Sequence, residues 1–113
     1  MKSSPRTANA SVRLVVAADE PALFFSSIQA AERYFEAQDV RSGVYSAAYG
    51  PDGRLFVVAV ESGRPKLAPT IPPVMRPEAL KELIGRYFAA IGINASGYSL
   101  PDLLAEAASH IVD

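Results

Sequence analysis

The chain has a single histidine, His110, and it follows Glu106 by one helical turn. An acid and an imidazole at i and i+4 have the spacing of a general base and its orienting partner. A histidine in the last turn of a helix is equally accounted for by its interaction with the helix dipole, and that reading is preferred here. Glu78 and Glu82 repeat the i, i+4 spacing as paired carboxylates. With Lys81 and Arg86 beside them at ion-pair spacings, they read as a solvated charged face rather than a metal or acid–base site. Gly50-Pro51-Asp52-Gly53 places two glycines three apart. It lacks the longer glycine spacing, the following Lys and the following helix of a phosphate loop, so it reads as a hairpin turn. Ser26, Ser27 and Ser96 have no nucleophile-elbow context. There is no cysteine at all, which removes thiol nucleophiles, disulfides and thiolate metal sites. The expectation is a protein with no catalytic, cofactor-binding or metal-ligating residues, and not an enzyme.

The elements that must position any remaining function follow from periodicity. Ser11 to Ala17 (SVRLVVA) reads as a short valine-rich strand, ended by Asp19-Glu20-Pro21. Ser26, three residues before Gln29, has capping-box spacing and would open a helix whose buried stripe is Ile28, Ala31 and Phe35, with Tyr34 on its flank and an end at Asp39 to Gly43. Val44 to Tyr49 and Arg54 to Val60 flank the glycine turn as a hairpin. A four-residue loop would pair Tyr49 with Arg54, Ala47 with Phe56 and Tyr45 with Val58. Both faces of the second strand are apolar, which predicts a central position. Lys66 to Val74 (KLAPTIPPV) has three prolines, so the segment should be either a strand at the sheet edge or an extended connector. Pro77 opens a helix with Leu80, Leu83, Ile84, Tyr87, Phe88 and Ile91 on one face and Gly92 at its end. Ser99 and Asp102 cap a last helix with the stripe Leu103, Leu104, Ala107, Ala108 and Ile111. The predicted fold is α+β, an antiparallel sheet of three to four strands with helices packed on one face, in the order β-α-β-β-(β)-α-α.

The 113 residues are half apolar and one-fifth charged, as expected for one globular domain over 11–113 behind a flexible tail at 1–10. Arg13 cuts the first apolar run to Leu14–Ala18, too short for a signal peptide, and no stretch approaches a membrane span, so a cytoplasmic protein is expected. The net charge of −1 is a sum of segregated parts: +3 over 1–18, −4 over 19–39, +3 over 40–98 and −3 over 99–113. A surface divided in this way suits a protein partner better than a polyphosphate, so no nucleic acid is expected as a ligand.

On the predicted register, one hairpin face carries Tyr45, Tyr49, Arg54 and Phe56, residue types enriched at protein interfaces. Glu32, Glu36 and Asp39 cluster on the first helix and could mimic phosphates bound by a basic partner. These seven are the candidate partner-binding residues. A homodimer through the hairpin face or an edge strand is the intermediate case.

The run Phe25-x-Ser27, Ala31, Tyr34, Glu36, Asp39-Val40, Gly43, Tyr45 and Gly53-Arg54, with the leucine-rich helical endings at Leu80 to Gly92 and Leu100 to Leu104, resembles small cytoplasmic bacterial immunity proteins of polymorphic and contact-delivered toxin systems. The resemblance covers most of the chain without a catalytic signature. It implies a non-enzymatic inhibitor, without cofactor, that binds and neutralises one cognate toxin or effector protein. The alternative is a homodimeric accessory domain that binds a small ligand between sheet and helices.

Overall fold

The computed structural model describes residues 11–113; the tail expected over 1–10 lies outside the described residues. Five strands, β1 (Leu14–Ala17), β2 (Ala22–Phe25), β3 (Ala47–Tyr49), β4 (Leu55–Glu61) and β5 (Arg64–Pro69), form one antiparallel sheet in the order β2-β1-β3-β4-β5. Among the described residues four helices accompany it: α1 (Ile28–Tyr34), α2 (Ala37–Arg41), α3 (Pro77–Ala90) and α4 (Leu100–Ala107), the last continued by a 3₁₀ turn over Ala108–His110. The fold is α+β, as expected.

Two details of the expected architecture change. The sheet has five strands rather than three to four, because Ala22-Leu23-Phe24-Phe25 is a strand in its own right. It is too short to show alternation, and all four residues are buried. The helices also divide between both faces instead of sharing one. Strand side chains alternate, so Val15, Ala22 and Phe24 meet Leu80, Leu83, Ile84 and Phe88 of α3 and Leu103 and Ala107 of α4. Leu14, Val16, Leu23, Phe25 and Ala48 meet Ala31 and Phe35 on the opposite side. β1 and β2 are apolar on both faces, so one helical layer could not have covered them.

The helix expected from Ser26 is two shorter ones. Ser27, not Ser26, caps α1, its hydroxyl accepting from the Ala30 N–H at 3.0 Å. Phe35 then leaves the helical region (ψ 148°), which turns its ring into the core beneath α1, and Glu36 serves as the N-cap of α2, which starts at Ala37. The later helices match expectation at their starts, but their apolar stripes end sooner: Ile91 is the exposed C-cap of α3, and Ile111 follows the 3₁₀ turn. Pro77 is the first residue of α3, and Gly92 follows its end at φ +84°. Ser99 and Asp102 form a reciprocal capping box on α4.

The β3–β4 turn fixes where α3 begins. Gly50 N–H donates to the Arg54 carbonyl and Gly53 N–H to the Gly50 carbonyl, so three residues, not four, lie inside the loop. Gly53 has φ +90°, and a Cβ there would sit 2.5 Å from the Pro77 Cα. Its carbonyl accepts from Arg76 N–H at 2.7 Å. The glycine lets the turn and the first residue of α3 touch backbone to backbone.

Candidate functional site

The shorter loop moves the hairpin register by one residue: Ala48 faces Phe56, and Tyr49 faces Leu55. A one-residue slip exchanges the faces of a strand, which parts Tyr49 from Phe56, and Tyr45 is parted from Tyr49 because it precedes β3, outside the alternating run. Tyr49 points to the α3 side, packed against that core, whereas Phe56 and Tyr45 lie on the α1 side. Arg54 is half-buried, with one guanidinium nitrogen donating to the Thr70 carbonyl at 2.8 Å and its buried Nε unpartnered. It ties the hairpin to the middle of the proline-rich segment and is not displayed with the tyrosines.

The acidic cluster divides as well. Glu32 reaches across to β5, where its carboxylate accepts from the Leu67 N–H at 2.8 Å. Thr70 N–H points inward to the Leu55 carbonyl. By alternation, the outward positions of β5 are therefore 65, 67 and 69. Two of these are prolines, and Glu32 occupies the remaining donor. Every outward N–H of this edge is thus absent or capped, one of the recognised ways a sheet discourages edge-to-edge pairing. Of the two expectations for Lys66–Val74, the edge strand holds as far as Pro69, where β5 ends, and the rest runs on outside the strand.

Glu36 and Asp39 remain beside Tyr45. Tyr45 stacks on Phe35 with centroids 4.0 Å apart and planes 24° apart. Phe35 in turn meets Phe25 edge-on, and Phe25 meets Tyr34, whose side is 46% exposed. Burial, then the charges of Asp39, Tyr34, Glu20 and Glu36, raise the Tyr45 pKa above the ordinary phenol value. The site is therefore a rigid aromatic platform, Tyr34 and Tyr45 at its rim, in a field of negative charge. Glu20 and Tyr34 join it although the sequence reading did not place them there. Residue 20 is brought in by the β1–β2 turn, a feature visible only once β2 is known.

His110 does not pair with Glu106 as the i, i+4 spacing allowed. It sits in the 3₁₀ turn after α4, its Nδ1 3.2 Å from the Tyr87 hydroxyl and its ring edge-on to Tyr87 and Phe88. The surface carries grooves among the described residues, two of which lie beside helices. One, of about 790 Å³, lies between α3 (Glu78, Glu82, Gly85) and the loop through Ala95 and Tyr98. The other, of about 670 Å³, lies between α1 (Gln29, Glu32, Arg33) and the β4–β5 hairpin. Among the described residues, no group of three or more His, Asp or Glu is placed to hold a metal ion, and no helix is long and apolar enough to cross a membrane. Compared with known proteins, the chain matches no family model, and no curated protein or solved structure is significantly similar to it.

Proposed function

We propose that the protein is a non-enzymatic binding module that recognises a basic protein partner through the Tyr34–Tyr45 platform, and that it serves as a cytoplasmic immunity protein neutralising a cognate bacterial toxin. One observation carries this reading: Tyr45 stacked on Phe35, with Tyr34 exposed and Glu36, Asp39 and Glu20 close enough to act on its phenol. Aromatic rings held in place by neighbouring rings lose little entropy on binding, and they attract Lys and Arg through their faces. The surrounding carboxylates add complementary charge, which raises the association rate and sets specificity. The segment 19–39, with five acids against one Arg, supplies most of that charge. Glu32, spent on Leu67, is structural in this scheme, and Tyr49, Arg54 and Phe56 are scaffold.

The test is co-expression with the product of any toxin-like gene next to the coding sequence. A 1:1 complex is expected, weakened at least tenfold by Tyr45→Ala combined with Asp39→Asn, while Tyr49→Phe leaves it unchanged. A complex that forms with Tyr34 and Tyr45 still solvent-accessible would overturn the site. Failure of the chain to protect cells from any neighbouring product would overturn the function.

A further inference from the structure

β4 (Leu55-Phe56-Val57-Val58-Ala59-Val60-Glu61) is flanked by β3 and β5 and is apolar along six consecutive residues, yet none of its residues is fully buried. An apolar strand inside a sheet ordinarily has both faces covered. Here one face is: Phe56 and Val58 pack into the α1-side core. On the other face α3 and α4 cover β1 and β2 and reach only Tyr49 of β3. Leu55, Val57 and Ala59 join neither core, and Ala68 stands opposite Val57 on β5, both exposed. Val57 is 52% exposed, and at the end of the two strands Ile71 is 89% and Met75 45% exposed. Among the described residues, neither buried core takes in the side chains of this surface.

Its dimensions and charge define an occupant. Two neighbouring strands present a strip about 10 Å wide, the diameter of one helix. The seven residues of β4 run about 23 Å, the length of about 15 helical residues. By register Lys66 lies opposite Ala59 and Arg64 opposite Glu61, at the sheet edge where they also border the α1-side groove, and Arg76 precedes α3. The rim is therefore net basic. We propose that the open face of β4 and β5 docks one amphipathic helix of a partner protein, which lays its apolar stripe on Val57, Ala59 and Ala68 and directs acidic flanking residues to Arg64, Lys66 and Arg76. That helix would complete the layer begun by α3 and α4. The surface is separate from the Tyr34–Tyr45 platform, with opposite charge, and does not depend on the toxin reading.

The experiment titrates the full-length, isotope-labelled chain with a synthetic 15-residue helical peptide having leucines at i, i+3, i+4 and i+7 and glutamates on both flanks. Two control peptides replace the glutamates by lysines or scramble the leucine spacing. The expected result is amide shifts centred on Val57, Ala59 and Ala68 with the acidic peptide only. Val57→Glu should weaken binding at least tenfold without moving Tm, since the site is exposed, and Lys66→Glu should weaken it and favour the lysine peptide. Equal binding of all three peptides overturns the proposal, as do shifts confined to Tyr34 and Tyr45. So does self-association of the chain that protects Val57 without peptide, which would assign the face to a second copy.

Discussion

Tyr45 shows how much of the candidate site is decided by a single side chain's surroundings. Its ring is fixed by Phe35 and its hydroxyl stands among acidic neighbours, with burial the largest influence on its pKa. Because the folded-state pKa is raised, the folded protein holds this proton more tightly than the unfolded chain does. The corresponding stability is fully present below the unfolded phenol value of about 10 and is lost as pH rises through the folded one. Tyr45→Phe should therefore flatten the alkaline limb of the stability curve, measured by urea denaturation across pH 8–11, and remove from the ultraviolet difference spectrum a phenol that ionises above the ordinary range. An unchanged alkaline limb would place the perturbed tyrosine elsewhere. Gly53 is the opposite kind of residue, important for what it lacks. Gly53→Ala brings both a positive φ and a methyl 2.5 Å from the Pro77 backbone, so a loss of about 2–4 kcal/mol is expected. Gly63→Ala, with positive φ but nothing near, should cost only about 1 kcal/mol. Thermal denaturation of the two variants separates strain from collision.

At the scale of elements, the sheet is guarded at both edges by different means. Along β2, Val112 N–H donates to the Phe24 carbonyl, and the Asp113 carboxylate accepts from the Ser26 N–H and hydroxyl. Along β5 the guard is Pro65, Pro69 and the Glu32 carboxylate on Leu67. Removing that carboxylate leaves one open donor between two prolines. Glu32→Ala should cost about 1.5–3 kcal/mol, the range for a hydrogen bond to a charged group. Glu32→Gln should recover part of it. If Glu32→Ala combined with Pro65→Val and Pro69→Val stays monomeric at high concentration by light scattering, this account of the edge fails. The same elements show what was legible in the sequence. α3 and α4 could be read almost residue by residue, because Pro77, Gly92 and the Ser99–Asp102 box are local signals whose partners lie within one turn. The edge position of β5 was legible for the same reason: proline acts on its own backbone. β2 was not, since four apolar residues carry no period. Nor was the hairpin register, because Gly50-Pro51-Asp52-Gly53 permits a three- or a four-residue loop, and contact of Gly53 with Pro77 selects the former. Tyr49 and Phe56 parted with that register, and Tyr45 parted from Tyr49 because β3 begins only at Ala47, beyond it. Tyr45 instead joins Glu36 and Asp39, which the sequence assigned to a separate surface, because α2 and the segment after it are close in sequence.

The whole molecule is two cores sharing one ribbon. Phe24 and Phe25 are adjacent in β2 and point to opposite faces. Phe24 meets Tyr87 of α3 edge-on at 4.9 Å, and Phe25 meets Tyr34 at 5.3 Å and Phe35 at 5.7 Å. Neither helical layer has another sheet to lie on, so damage to the ribbon from one side should be felt on the other. Truncating either phenylalanine to alanine removes a fully buried ring, and about 3–5 kcal/mol of stability is expected to go with it. That is a large share of the roughly 5–15 kcal/mol typical of a whole domain. The informative quantity is where the loss is felt. If the ribbon couples the layers, Phe24→Ala lowers hydrogen-exchange protection equally at α1 amides and at α3 amides, although its ring touches only the α3 side. Phe25→Ala does the same in reverse. Protection retained at α1 in Phe24→Ala while α3 opens would mean two independently stable layers. In that case the acidic platform on α1 and α2 and the basic open face of β4 and β5 could be lost separately, rather than standing or falling with the same strands.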